Sequence, residues 1–176
     1  KAPGNFPIKE YMDFKGIGPK GLYINEYKET FAFDPNDIVK YYNCMDFLLH
    51  PSQTEGFGLC IIEAQACGIP VVVNGVHSMP ELIVEGETGY ACKPGLPRFS
   101  NQLSYTYPAD VPSLTEKMQQ LYTDLQTKEK EISHSCRTHI VKNFNVEDTT
   151  TKWADFLTEL QDELLPLTVP PQTATI

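Results

Sequence analysis

Asp46-Phe-Leu-Leu-His50-Pro51-Ser-Gln-Thr-Glu55-Gly-Phe-Gly58-Leu-Cys-Ile-Ile-Glu63-Ala-Gln-Ala-Cys67-Gly68-Ile-Pro70-Val-Val-Val-Asn74 decides the fold of this chain. Its first five residues form an apolar run that stops at Pro51-Ser52, the pattern of a short buried strand. Two glycines punctuate the next loop. Leu59 to Cys67 reads as a helix, with Gly68 placed to close it at C′. Pro70 to Asn74 is then a second buried strand, β-branched throughout. Strand, loop, helix and strand in so few residues is the rhythm of a parallel sheet.

The rhythm extends outward. Upstream, Asp34 is placed to cap a helix that opens at Pro35, with Ile38, Val39, Tyr42 and Met45 as its apolar stripe. Further back, Gly21 to Asn25 reads as a short strand. Downstream come a short helix or turn at Pro80 to Val84 and a strand at Gly89 to Cys92. Residues 93–110, with four Gly or Pro, read as a long surface loop. Two helices follow: one over Leu114 to Leu125, another near 128–142. A last helix, capped by Asn145, carries Trp153, Phe156, Leu157, Leu160 and Leu164 on one stripe. The expected architecture is α/β, a Rossmann-like parallel sheet covered by helices on both faces, with C-terminal helices. Residues 1–20 read as irregular, 21–165 as the domain and 166–176 as a flexible tail.

The chain has 176 residues and a net charge of −9, with 41% hydrophobic and 21% charged residues. This is the composition of a globular domain, and the acidic balance argues against nucleic-acid binding. No run of eighteen apolar residues occurs, so membrane association is expected to be peripheral at most. Residues 1–10 lack the apolar core of a secretory signal. The five cysteines are odd in number and form no C-x-x-C. Cys60 and Cys67, seven apart, are expected as buried thiols, which suits a cytoplasmic protein.

Gly16-Ile-Gly-Pro-Lys-Gly21 matches G-x-G-x-x-G, but a dinucleotide turn needs a strand before it and a helix after it. Here a strand is expected to follow, and Pro19 removes an amide donor. A plain turn is the better reading.

Glu55 to Glu63 differs, because it lies in a strand–loop–helix context. Gly56 and Gly58 permit positive φ or close approach of a ligand. The amides of Gly58, Leu59 and Cys60 would point from a helix N-terminus toward an anion. Two carboxylates flank that position and suit hydroxyls rather than phosphate, since a carboxylate only accepts hydrogen bonds. A diphosphate with polyols at both ends, as in a sugar nucleotide, fits this layout. From spacing alone a second reading stays open: Glu55 favours the helix dipole and Glu63 is an exposed helix residue. His77 and Glu81 lie near the carboxyl ends of strands, where ligands bind in such sheets, though loop and dipole roles explain them as well. His50 is expected to be a satisfied buried group.

Pro51 to Val73, continuing through Pro80-Glu-Leu-Ile-Val-Glu-Gly-Glu-Thr-Gly-Tyr90, resembles the E-x7-E region of family 4 retaining glycosyltransferases of the GT-B fold. Asp37 to Asp46 and Asn143 to Asp148 resemble the flanking helices. The resemblance implies the nucleotide-sugar-binding C-terminal half of a two-domain, metal-independent hexosyltransferase, with no cofactor. The donor would be a UDP- or GDP-sugar, and the acceptor a carbohydrate, lipid or protein. It implies that Glu55 contacts the donor sugar as the catalytic carboxylate. It places the backbone of the Gly56, Phe57, Gly58 and Leu59 loop at the diphosphate or sugar, Glu63 at the ribose and Phe33 near the base. The family's diphosphate-binding Arg and Lys have no match here. The chain is therefore expected to lack an acceptor-binding half and to be inactive, or nearly so, alone. The last helix would cross toward that other half, leaving part of its stripe as a docking face rather than core. A nucleotide-sugar epimerase and a non-catalytic nucleotide-binding or interaction module are the alternatives.

Overall fold

The computed structural model describes residues 8–20, 34–101 and 103–164. The strand expected over 21–25, Phe33 and the tail lie outside them. The chain divides into two compact units, 1–35 and 36–176. In the first, α1 spans Ile8–Phe14 and a 3₁₀ turn covers Gly18–Lys20. Over residues 8–20 this corrects the irregular reading. The prolines and glycines of that stretch flank a seven-residue run free of breakers, and Gly16, at φ +72°, stands just beyond its end.

The second unit holds a parallel three-stranded sheet in the order β1 (Leu48–His50), β2 (Val71–Asn74), β3 (Gly89–Cys92). Leu48 pairs with Val71, His50 with Val73, and Asn74 with Cys92, so the carboxyl ends of the strands lie at one end of the sheet. α2 (Pro35–Tyr42) precedes β1, and α3 (Leu59–Ala66) joins β1 to β2.

The two-residue period of β2 sorts the core. Val71 and Val73 meet Tyr42, Ile61, Ala64, Met79 and Leu82 on one side. Val72, with Tyr90, meets Leu121 and the half-buried Leu114, Met118 and Leu125 of the long C-terminal helix on the other. Every β2 side chain is fully buried, which accounts for a run without polar alternation. The helix after β1 ends as expected. Gly68, at φ +80°, donates to Gln65 O, and Ile69 donates to Ala64 O, the paired bonds of a glycine-terminated helix.

One element differs from expectation. Residues 93–110 contain an antiparallel pair, β4 (Arg98–Phe99) and β5 (Tyr105–Thr106), closed where Leu103 takes a left-handed φ of 57°. The two expected helices are present and abut without a loop: α4 (Val111–Asn143) is two helical stretches joined at a kink, where Lys128 takes a non-helical φ of −127°. No proline or glycine lies between Leu125 and Lys130, so the helix bends there instead of stopping. The stripe of α5 (Val146–Leu164) is exposed: Trp153, Phe156 and Leu157 all remain more than half accessible. Part of the stripe is thus exposed and not core, the arrangement that the resemblance implied. Asn145 does cap α5, its Oδ1 accepting from the amide of Glu147.

Candidate functional site

The glycine loop, residues 51–58, leaves the carboxyl end of β1 and enters α3. It is held from three directions. The fully buried Asn74, at the end of β2, donates through Nδ2 to Ser52 O at 3.0 Å and to Tyr107 O at 2.6 Å. Tyr107 in turn donates its amide to Gln53 O. Beyond β2, the Ser78 hydroxyl donates to Phe57 O at 2.9 Å. The Phe57 ring meets Phe144, at the end of α4, edge-on with centroids 6.2 Å apart. The loop backbone is thus fixed while its Phe57 and Leu59 side chains stay exposed.

The two glycines divide their labour. Gly58 takes φ +100° at the N-cap, and a Cβ there would stand 2.9 Å from Ile61 Cδ1 and 3.1 Å from Leu82 Cδ1. Only glycine satisfies both constraints. It brings no side chain, so none caps α3. The helix N-terminus is left as a positive end with unspent amide donors. Gly56 does not take a left-handed φ, and a Cβ there would meet nothing within 4 Å. Its contribution is open space beside the loop.

Each motif carboxylate has a protein partner that the sequence reading did not foresee. Glu55, half-buried, places Oε1 3.0 Å from His50 Nε2. Cys60 Sγ lies 3.4 Å from the other ring nitrogen, Nδ1. His50 is therefore satisfied, as expected, though half-buried. The Cys60 hydrogen bond chiefly raises its pKa, burial opposes, and Glu55 adds to the rise. Cys60 is likewise only half-buried, as is Cys67, which corrects the expectation of two buried thiols. Its sulfur sits against a polar ring rather than in the apolar core.

Glu63, one helical turn beyond Cys60, accepts a 2.9 Å hydrogen bond from the Tyr42 hydroxyl. Tyr42 was read as one of the apolar stripe of α2. Its ring is buried in the core, yet its hydroxyl emerges beside α3. Burial, then the Glu63 hydrogen bond and charge, hold its pKa far above the ordinary value, so it remains a donor throughout the physiological range. The signal in the sequence was the Tyr itself, because a buried Tyr hydroxyl requires a partner. In both pairs one carboxylate oxygen is engaged, which leaves the second for another donor.

Other singled-out residues fall around this site. His77 sits beyond β2 at a left-handed φ of 53°, exposed, with its ring edge-on to Tyr107. Glu81 is exposed on the 3₁₀ turn Met79–Leu82. Phe33 lies outside the described residues. A recess of about 420 Å³, lined by Cys67, Ser133, His134 and Arg137 among others, opens at the opposite end of α3. No group of three or more His, Cys, Asp or Glu suited to a metal occurs among the described residues, nor does any helix long and apolar enough to cross a membrane.

Residues 24–103 match the family model "Glycosyl transferases group 1". The capsular polysaccharide biosynthesis glycosyltransferase CapM of Staphylococcus aureus is 30% identical over 110 residues, 62% of this chain and 25% of CapM. The N-acetyl-alpha-D-glucosaminyl L-malate synthase of Bacillus anthracis is 36% identical over 76 residues, 43% of this chain and 20% of that enzyme. The chain thus spans a quarter or less of the length of these two relatives. Among solved structures, a sucrose-phosphate synthase of Thermosynechococcus elongatus superposes with a TM-score of 0.70 at 21% identity, over 89% of this chain and 34% of its own. Anabaena HepE, solved with UDP, gives 0.58 at 23% identity, over 70% and 30%. At these identities the structural likeness shows fold alone, and the fold is that of GT-B glycosyltransferases, of which this chain covers a fraction. The matched segment and the relatives make this chain similar to glycosyltransferases of group 1, and its fold is of GT-B type.

Proposed function

We propose that this chain binds the nucleotide-diphosphate sugar donor of a retaining, metal-independent hexosyltransferase, as the C-terminal part of a longer enzyme. The observation that carries the reading is the uncapped N-terminus of α3 at a left-handed Gly58, flanked by two carboxylates that each keep an oxygen available. In this reading the amides of Phe57, Gly58 and Leu59 meet the diphosphate, with the open space at Gly56 admitting it. Glu55 faces the transferred sugar and Glu63 accepts from the ribose hydroxyls. The relatives' names support the transferase class, and a structural neighbour solved with UDP supports the donor class. The acceptor, a carbohydrate, lipid or protein, would meet Glu55 from a part of the enzyme that this chain does not supply, so transfer by the chain alone should be negligible.

The test is a ¹H–¹⁵N titration with UDP, GDP and their glucose and N-acetylglucosamine conjugates. Shifts confined to the amides of residues 55–63 are expected. Glu63→Gln should weaken nucleotide binding by about 1–3 kcal/mol, the scale of a hydrogen bond to a charged group. It should leave a 2′,3′-dideoxynucleotide unaffected. Silence of those amides toward every donor rejects the reading.

A further inference from the structure

We propose that the β4–β5 hairpin docks this domain on an anionic lipid surface, its apolar side chains entering the bilayer interface while Lys93 and Arg98 meet the headgroup phosphates. Leu96, Phe99, Leu103 and Tyr105 are 85%, 64%, 82% and 58% exposed. Single exposed apolar side chains are ordinary on a protein surface, but these are gathered on one hairpin. Phe99 and Tyr105 are opposed in the ladder and so share a face, where their rings meet edge-on with centroids 5.4 Å apart. Arg98 and Thr106 share the other face. Neither face is sealed by another element, since Arg98 on one and Phe99 and Tyr105 on the other stay exposed. A ribbon of two strands is marginal in water without such a cover.

The root of the hairpin, by contrast, is fixed. Gly95 donates its amide to Pro108 O at 2.7 Å, Asp110 donates to Lys93 O, and the Lys93 amide donates to the Ser113 hydroxyl. Tyr107 ties the same root to the glycine loop. At the turn, Leu103 holds a left-handed φ of 57°, which glycine or asparagine adopts at less cost. A large apolar side chain is thus kept in solvent at a position where the backbone disfavours it.

Charge selects the occupant. Residues 93–109 contain Lys93 and Arg98 and no Asp or Glu, within a chain of net charge −9. Both cations are exposed, and neither has an ion-pair partner among the described residues. The carboxylate that follows, Asp110, is spent on capping α4. Leucine and phenylalanine suit the edge of the hydrocarbon, tyrosine suits the interface, and cations suit anionic headgroups. The exposed stripe of α5 is the contrast: its helix carries six carboxylates and one lysine, so an anionic bilayer repels it. Because the hairpin root adjoins the glycine loop, a docked bilayer would favour a lipid-linked acceptor. Only that consequence rests on the donor-binding reading.

The experiment is flotation of the full chain with vesicles of phosphatidylcholine alone and of equimolar phosphatidylcholine and phosphatidylglycerol. The chain should float with the mixed vesicles, less so as salt rises, and far less with phosphatidylcholine alone. Phe99→Ser and Leu103→Asn should each lower partitioning roughly tenfold. Arg98→Gln should lower it about fivefold on the mixed vesicles, the worth of one cation at such a surface, and leave phosphatidylcholine unchanged. Leu103→Asn suits the left-handed turn and Leu96 lies outside both strands, so Leu103→Asn and Leu96→Ser keep the test valid if Phe99→Ser unfolds. A chain that floats with neither vesicle, or folded hairpin variants that float like wild type, overturns the proposal. So does loss of flotation in Trp153→Ser with the hairpin variants silent. Self-association that Phe99→Ser abolishes, in a chain indifferent to vesicles, assigns the hairpin to a second copy and also overturns it. Flotation of a chain whose amides ignore every nucleotide sugar would instead remove the donor-binding reading and leave the lipid-docking hairpin standing.

Discussion

Gly58 is the hinge on which the loop turns, and replacing it by alanine isolates its two constraints. A left-handed non-glycine residue costs roughly 1–2 kcal/mol. The added methyl would lie 2.9 Å from Ile61 Cδ1 and 3.1 Å from Leu82 Cδ1, both side chains of a core with little room to yield. Such overpacking costs about 1–3 kcal/mol. Stiffening of the unfolded chain returns about 0.4–1 kcal/mol. Gly58→Ala should therefore lose roughly 1–5 kcal/mol of stability, the sum of opposing effects of the sizes just given. Gly56→Ala is the matched control, because its methyl meets nothing within 4 Å and its φ is not left-handed. It shares the unfolded-state benefit and should be neutral or slightly stabilising. Urea unfolding followed by far-ultraviolet circular dichroism reads both. With a slope of about 2 kcal/mol per molar, Gly58→Ala should lower the midpoint by roughly 0.5–2.5 M. Equal midpoints for the two variants would refute the claim that backbone conformation and the Ile61–Leu82 contact set this position.

Further outcomes follow from individual contacts. Asp110 caps α4 by accepting from the Ser113 amide at 3.0 Å, and the Ser113 hydroxyl in turn accepts from the Lys93 amide. Asp110→Ala should thus cost about 1 kcal/mol in the same urea titration. His50 has a raised folded-state pKa, so its contribution to stability is fully present below its ordinary value of about 6.5 and is lost as pH rises through the folded value. The stability gap between wild type and His50→Gln should accordingly be wider at pH 5.5 than at pH 8.5, and a gap independent of pH would contradict the Glu55–His50–Cys60 arrangement. Tyr42→Phe keeps the buried ring and removes the hydroxyl that holds Glu63. It should cost about 0.5–1.5 kcal/mol in the urea titration, because water can replace the lost donor at the exposed carboxylate.

Much of the short-range chemistry was readable from the chain. The unbroken Val71-Val-Val run can be satisfied only by a strand covered on both faces, and Gly68 ends α3 because a left-handed residue must close a glycine-terminated helix. The spacing of Glu55, Gly58 and Glu63 raised the expectation of an anion site flanked by acceptors, with a plain helix start left open beside it. Tertiary structure decided what each group touches. Periodicity marks Trp153, Phe156 and Leu157 as one apolar face but cannot say what covers it, and among the described residues that face is largely exposed. Tyr42 and Glu63 are 21 residues apart, and Asn74 and Tyr107 are 33 apart. Their hydrogen bonds exist because packing α2 and the β5 strand end against the sheet brings those atoms together. A pattern local in sequence encodes which face is apolar and where the backbone must bend, whereas partners for polar atoms are chosen by the packing of distant elements.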